Sequence, residues 1–375
     1  MIDTLIIGGG LAGLVSAIHL SKSGLKVLVI EKNAYPKHKV CGEYISNEVI
    51  PYLRSLDFDP FQFGAKKINK FMMSSSKGKV IKTILPLGGF GLSRFTFDYE
   101  LSKIAKEKGV IIIQDIAVDV HFTNDIFTVY TKLGMLYHSK LVIGAFGKRS
   151  NIDLKLERPN IKNKSVYLAV KAHYKGSFPE DLVALHNFKG GYCGISKVEN
   201  NEINICYITD YKSFKKYKNI NDFQKKVVYK NKYLKTIFEN SELSFSKPIA
   251  ISHITFSEKK PIDQHIIMCG DTAGMIHPLC GNGMAMAIHS AKIASSLIIR
   301  YFNGDIRSKA ALEKQYSDSW NAEFRRRLKT GRRLAVLLNL NNFSEIMMFV
   351  LKILPGLFPL IIKKTHGKPL TEIIF

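Results

Sequence analysis

Gly8-Gly9-Gly10-Leu11-Ala12-Gly13 directly follows the short apolar, β-branched run Thr4 to Ile7. It opens a stretch of helical spacing, Leu11 to Ser23, that stops at Gly24; Val27 to Ile30 then reads as a second buried strand ending on Glu31. Glycines at these spacings suit a phosphate. Gly8 permits a tight turn, Gly10 lets the backbone approach a pyrophosphate, and Gly13 lets helix and strand pack closely, while the helix N-terminus offers free N–H groups to the anion. Glu31 can accept both hydroxyls of an adenosine ribose, and its charge would repel a 2′-phosphate, which favours FAD or NAD over NADP. Strand, spacing, helix and acid agree, so the stretch reads as a βαβ dinucleotide site rather than an isolated glycine-rich turn.

Further along, other residues could do chemistry. Pro36-Lys37-His38-Lys39-Val40-Cys41-Gly42-Glu43 is a polar loop with a glycine and a thiol, placed to fold back over a cofactor held by the second strand. Arg94 stands in Gly91-Leu92-Ser93-Arg94-Phe95-Thr96-Phe97-Asp98. A buried strand, His265 to Cys269, runs into Gly270-Asp271-Thr272-Ala273-Gly274-Met275-Ile276-His277-Pro278-Leu279-Cys280-Gly281-Asn282-Gly283-Met284. His277 reads either as a proton donor to a carbanion or as a helix-entry packing residue. Cys41 reads either as a reactive thiol or as an inert buried one. No Ser-His-Asp grouping, P-loop or carboxylate cluster supports another chemistry.

Together these three segments resemble the FAD-dependent oxidoreductases of the geranylgeranyl reductase and aromatic hydroxylase superfamily. The stretch Gly270 to Met284 matches that superfamily's second FAD fingerprint over its full length. The resemblance implies that Asp271 holds a ribitol hydroxyl and that the turn Gly281-Asn282-Gly283-Met284 points amides at the flavin pyrimidine edge, where reduced flavin carries negative charge. It extends the cofactor contacts to Gly8, Gly10, Leu11, Ala12, Gly13, Glu31, Lys32, Cys41, Gly42, Arg94, Val118, Ala145, Gly147 and Gly270. Aromatic hydroxylases usually carry Gly-Asp-Ala-Ala-His at the second fingerprint. Here Ala273-Gly274 is similar to the reductase branch, as is Lys39-Val40-Cys41-Gly42, a loop whose Cys lies close to the flavin in that branch. Two departures stand out. In Ile143-Gly144-Ala145-Phe146-Gly147, Phe146 replaces the Asp that the hydroxylases link to FAD and NADPH binding. Gly190-Gly191-Tyr192-Cys193-Gly194-Ile195 lacks the Trp and Pro of the corresponding reductase strand, and the single Trp320 argues against a tryptophan-rich halogenase site.

The fold implied is α/β (α+β overall): a Rossmann-type FAD-binding domain made of discontinuous segments, a mostly antiparallel substrate sheet and a C-terminal helical region. We assign 1–66, 90–150 and 261–309 to the FAD-binding domain, 67–89 and 151–260 to the substrate domain, and 310–375 to the helical region. A helix is expected over Asp98 to Lys108, capped near Thr96 or Asp98, and another near Phe223 to Phe238. Tyr192, Phe188 and Phe90 are candidates for a substrate surface, although core packing also explains each of them.

Length and composition bound the rest. The chain has 375 residues, 46% of them hydrophobic, enough for a substantial core. Five cysteines, odd in number and without paired metal spacing, argue for a reducing compartment and against a metal site. With a core strand starting almost at Met1, no signal peptide is expected and the cytoplasm is the expected location, with a peripheral position at the inner face of the membrane as an extension. The net charge of +24 is partly scattered Lys and partly a cluster, Arg325, Arg326, Arg327, Lys329, Arg332 and Arg333, just before an apolar tail. That pairing over 325–362 points to an anionic membrane surface more than to nucleic acid. Phe343 to Ile362 is apolar but interrupted by Glu345, Lys352, Pro355 and Pro359, so a helical hairpin capping the substrate domain or a surface-lying element is expected rather than a membrane span.

The leading reading is an FAD-dependent oxidoreductase that reduces a C=C bond of an apolar isoprenoid or polyketide-like substrate, with Cys41, His277 or water delivering the proton. NADH, NADPH or an electron-donor protein would supply the electrons. Two alternatives stay open: a flavin monooxygenase hydroxylating an aromatic or polyketide ring, and a non-catalytic flavin-containing protein that binds lipid or nucleic acid.

Overall fold

The computed structural model describes residues 1–148, 150–158, 167–217, 219–254, 256, 258–339 and 343–375. Strand Ile2–Ile7 lies inside a sheet ordered Ile262–Asp263, Ile266–Met268, Leu136–Gly144, Ile2–Ile7, Val27–Glu31, Ile111–Gln114, with the hairpin Ala117–Thr123 and Ile126–Thr131 attached through Leu136–Gly144. The parallel registers Ile7↔Ile30 and Ile7↔Gly144 bring the carboxyl ends of the central strands to one edge. Leu5, Ile6, Val29, Val142 and Ile143 are fully buried, as continuous apolar strands covered on both faces must be. Helix Leu11–Lys22 packs on Arg94–Glu107 and on the long helix Gly283–Phe302.

Two glycines set how closely these parts approach. A Cβ on Gly13 would lie 1.9 Å from the carbonyl oxygen of Gly8, so only glycine lets the helix sit this near the first strand. Gly8 itself has φ +106°, and a Cβ there would come within 2.4 Å of the Ala145 carbonyl oxygen.

The second sheet is ordered Ser241–Leu243, Tyr167–Gly176, Ile203–Asp210, Gly191–Lys197, Leu182–Phe188, Lys66–Ser74, Val80–Gly91, Tyr44–Ser46, with Ile249–Ile254 also on Tyr167–Gly176. It is antiparallel except where Leu182–Phe188 runs parallel to Lys66–Ser74. Tyr44–Ser46 pairs with Gly89 to Gly91, so the N-terminal segment enters this sheet before residue 66, earlier than the sequence boundary. The α/β fold with two sheets stands as expected.

Local boundaries moved for identifiable reasons. The helix expected from Asp98 begins at Arg94, because the Ser93 hydroxyl accepts the Thr96 amide at 3.1 Å and caps it there. The expected Phe223–Phe238 helix is two, Ile220–Lys226 and Lys232–Glu239, and the Asn231 side chain caps the second by accepting from Tyr233. The C-terminal region forms Lys309–Asn339, then Phe343–Ile353 and Leu357–Thr365 with Pro355 between the last two. Among the described residues no helix is long and apolar enough to cross a membrane. The basic cluster is only partly free: Arg327 is buried between Glu48 and Glu323, and Arg332 pairs with Glu258. All five cysteines are free thiols.

Replacing Gly13 by Val must push the helix off the strand. We expect Gly13→Val to cost more than about 3 kcal/mol and to lower the melting temperature in a thermal scan, whereas Gly24→Ala, whose Cβ would meet nothing within 4 Å, should cost about 1 kcal/mol from its positive φ alone.

Candidate active site

One cavity of about 1040 Å³ runs from the carboxyl edge of the first sheet to the face of the second. Its polar end is lined by Gly8, Gly10, Glu31, Lys32, Arg94 and Asp271, and its apolar end by Phe71, Leu85, Tyr192, Ile208, Phe358 and Ile362. The loop Cys41-Gly42-Glu43 and the turn Gly281, Gly283 and Met284 form the wall where the two ends meet.

The polar end is built for an anion. Helix Leu11–Lys22 has no side-chain cap and no acid in its first turn, so its leading amides are free. Above Gly10, the position a Cβ would fill lies 3.4 Å from an Arg94 guanidinium nitrogen and 3.9 Å from the Lys39 ammonium. Both cations share one carboxylate: Arg94 donates two bonds to Asp98, each 2.7 Å, and Lys39 a third, also 2.7 Å. Burial pushes the Asp98 carboxyl up, but Arg94 and Lys39 reverse this and hold it below its usual range. With Asp98 ionised, one positive charge is left over beside the glycine-rich turn, which a pyrophosphate would offset.

Glu31 is shaped for the neighbouring ribose. One carboxylate oxygen accepts the Gly9 amide at 2.7 Å and the other accepts both Asn33 nitrogens, which fixes the acid while leaving acceptor capacity. At the far side Asp271 faces the cavity; burial pushes its carboxyl up, opposed by Lys148, Arg94 and Lys259. The long helix Gly283–Phe302 also starts without a side-chain cap or an acid. Its free amides are where negative charge on a flavin pyrimidine edge would be stabilised. An FAD fits this donor set.

Cys41 lines the cavity with its sulfur 3.5 Å from that of Met284. Burial pushes the thiol up, Arg94 opposing it, so the group is a protonated thiol at neutral pH. Asn204 fixes the loop from the second sheet by donating to the carbonyl of Gly42 at 2.8 Å and of Cys41 at 3.3 Å.

Several expected residues stand elsewhere. His277 is not among the cavity-lining residues: its ring packs 4.4 Å from Phe256, its Nδ1 accepts the Leu279 amide, and burial pushes its pKa down to about 4. It is a neutral residue that caps the short turn Pro278–Cys280. Val118 is likewise outside the lining, which Ile116 and Ala117 supply. Gly13 and Asn282 also lie outside it, Gly13 in helix packing and Asn282 fully buried with its amide on Glu48. Of the three aromatic candidates only Tyr192 faces the cavity; Phe90 and Phe188 are core. Gly10, Leu11, Ala12, Gly42, Ala145, Gly147 and Gly270 all line it.

Lys39 and Asp98 were not singled out as site residues. The i, i+4 spacing of Arg94 and Asp98 was the available signal, hidden by placing the helix start at Asp98 itself. Since Arg94 supplies a buried charge beside Gly10, Arg94→Met should weaken FAD binding to the apoprotein by about 1.5–3 kcal/mol, roughly tenfold to a hundredfold, in a flavin-fluorescence titration.

Residues 3–40 match the model of the FAD dependent oxidoreductase family. Conditioned medium factor receptor 1 of Dictyostelium discoideum is 25% identical over 357 residues, 86% of this chain and 68% of that protein. Digeranylgeranylglycerophospholipid reductase 1 of Methanopyrus kandleri is 24% identical over 372 residues, 93% of each chain. Among solved structures, the flavin-dependent brominase Bmp2 superposes with a TM-score of 0.78 at 18% identity, covering 97% of this chain and 93% of that one. A geranylgeranyl bacteriochlorophyll reductase-like protein of Thermoplasma acidophilum gives 0.74 at 18% identity, covering 98% and 92%. Both structures share the two-sheet fold. The protein is an FAD-dependent oxidoreductase, similar along its length to proteins named digeranylgeranylglycerophospholipid reductase and sharing its fold with flavin-dependent halogenases and a geranylgeranyl reductase-like protein.

Proposed function

We propose that the protein reduces a carbon–carbon double bond of an apolar isoprenoid or polyketide-like substrate. The observation that carries this reading is the continuity of the cavity, in which a polar, cation-bearing end built for a dinucleotide opens directly into a chamber walled by Tyr192, Ile208, Phe358 and Ile362. The resemblance to enzymes named digeranylgeranylglycerophospholipid reductase over 93% of the chain supports the isoprenoid form of it.

FAD held in this site would supply hydride chemistry once reduced by NADH, NADPH or a protein donor. The chain's own residues do the rest. Gly8, Gly10 and the helix at Leu11 would hold the pyrophosphate, with Arg94 and Lys39 offsetting its charge; Glu31 would hold the adenosine ribose, and Asp271 a ribitol hydroxyl. The amides at Gly283 and Met284 would stabilise negative charge near the flavin ring. Cys41, kept protonated by burial, stands at the junction of the two ends, where a thiol proton can pass to the second alkene carbon. Apolar walls orient the chain and exclude water. Phe146 lines the cavity where the hydroxylases carry an Asp, which favours a donor bound differently from theirs.

The helices Phe343–Ile353 and Leu357–Thr365 carry the partner reading. Their inner faces place Leu351, Phe358 and Ile362 in the cavity wall, while Phe349, Ile353, Leu354 and Leu360 are more than half exposed beside the exposed Lys352, Lys363 and Lys364. An apolar face ringed by lysines suits an anionic membrane surface, and substrate would enter from it.

Two outcomes follow. Holoprotein reduced anaerobically and then mixed with air should reoxidise without a flavin C4a-hydroperoxide band; such a band, coupled to substrate oxygenation, would establish the monooxygenase instead. Replacing Lys352, Lys363 and Lys364 together by Glu should weaken binding to phosphatidylserine vesicles by about 1 kcal/mol or more per site. Equal partitioning of variant and parent in a flotation assay would remove the membrane role.

A further inference from the structure

Beside the main cavity lies a second, smaller pocket of about 320 Å³. One of its walls is a face of helix Lys309–Asn339 that presents Ser317, Asn321, Arg325, Leu328 and Arg332, each three or four residues after the last. Another is the segment Glu258 to Ile262. Trp320, 4% exposed, completes it together with Gly274 and Met275 of the second fingerprint. The indole packs on Gly274, whose notional Cβ lies 3.1 Å from the ring, and its N–H meets no acceptor among the described residues. Met275 lines both spaces, and Leu334, two residues past Arg332, lines the main cavity, so the two adjoin.

The pocket gathers more positive charge than its own acids offset. Lys259 is matched: its ammonium is 3.2 Å from Asp153, which with Asp263 also takes Arg158, so two cations there face two carboxylates. Arg332 pairs with Glu258, an acid whose side chain is 81% exposed. Lys260 and Arg325 are exposed and, among the described residues, pair with no acid. Lys260, Arg325 and Arg332 against Glu258 therefore leave a surplus of two positive charges around one concavity. Like charges held this way repel, and the low-dielectric wall of Trp320 and Leu328 strengthens the effect, so a dianion seated among them is attracted. The apolar lining of Trp320, Leu328, Met275 and Ile262 suits the carbon that adjoins such an anion.

We propose that this pocket binds the phosphate of an anionic substrate whose apolar chain lies in the main cavity on the other side of Met275. This rests on the reductase reading and narrows its substrate class to a phosphate-headed isoprenoid amphiphile. Arg325 and Arg332 would each offer paired N–H donors to the phosphate oxygens, Lys260 a compact charge and Trp320 a further N–H. Arg332 would exchange Glu258 for phosphate, and an ion pair this exposed gives way at little cost. The phosphates of a nicotinamide dinucleotide share this chemistry. The apolar chamber adjoining the pocket favours the lipid, because a chain bound there leaves its headgroup beside these cations, whereas an uncharged isoprenoid leaves them unanswered.

Trp320 is the single Trp of the chain, so binding can be read without turnover. On FAD-loaded protein, dodecyl phosphate should change the Trp320 fluorescence saturably, glycerol 1-phosphate should do so more weakly, and dodecanol should leave it unchanged; calorimetry gives the same dissociation constants independently. Lys260→Gln combined with Arg325→Gln, both at exposed positions, should weaken dodecyl phosphate binding at least about tenfold with the flavin spectrum and melting temperature unchanged. Glu258→Gln, which removes the competing acid, should tighten it about threefold, a gain that a merely structural role would not produce. Three results overturn the site: no saturable binding by either method, parent-like affinity in the double variant, or a response to NADPH without one to dodecyl phosphate. Holoprotein that binds dodecyl phosphate as described but, when reduced, saturates no lipid double bond overturns the reductase reading and leaves the phosphate site standing.

Discussion

The close approach of helix Leu11–Lys22 to strand Ile2–Ile7 is the constraint on which the site depends. With 1.9 Å between a notional Gly13 Cβ and the Gly8 oxygen, no larger residue allows it. That approach points the first free amides of the helix across the carboxyl edge of the sheet. The same edge is extended by Glu31, Ala145 and Gly270, each at the end of a neighbouring parallel strand. The crevice outside the carboxyl ends of such strands is where a dinucleotide binds in doubly wound sheets.

Charge and polarity then divide the cavity. Arg94 and Lys39 sharing Asp98 leave a net positive charge where a pyrophosphate would lie, and Glu43 with Lys171 and His173 joins the Cys41 loop to the second sheet. Those buried ions are tolerable because each is paired and hydrogen-bonded; losing one partner would strand the other at several kcal/mol. Beyond the loop the lining turns apolar, and the C-terminal helices complete it. One connected space thus runs from the polar, cation-bearing end to an apolar chamber.

Much of this was legible in the sequence because local patterns and tertiary needs coincide there. Gly8, Gly10, Gly13 and Glu31 stand at the spacing of a dinucleotide site, and Gly270 to Met284 is a second, separate fingerprint. Other features were hidden. Ser93 outcompetes Thr96 and Asp98 as the helix cap, which shifts Arg94 into the first turn, and no local pattern favours one hydroxyl over another. His277 sits between two fingerprint elements in sequence, yet its ring turns away to cap the Leu279 amide among aromatics. The partnership of Glu43 with Lys171, His173 and Glu202 spans more than 125 residues and two sheets, so only the folded chain brings it together.

The central claim is that this cavity exists to saturate an isoprenoid double bond with electrons from FAD. Its most direct test is mass spectrometry of digeranylgeranylglycerophospholipid vesicles incubated anaerobically with dithionite-reduced holoprotein in deuterated water. The account predicts a stepwise gain of one hydrogen-molecule equivalent per double bond, with one solvent-derived deuterium at the protonated carbon of each. Lipid of unchanged mass, with flavin that stays reduced until oxygen is admitted, would contradict it.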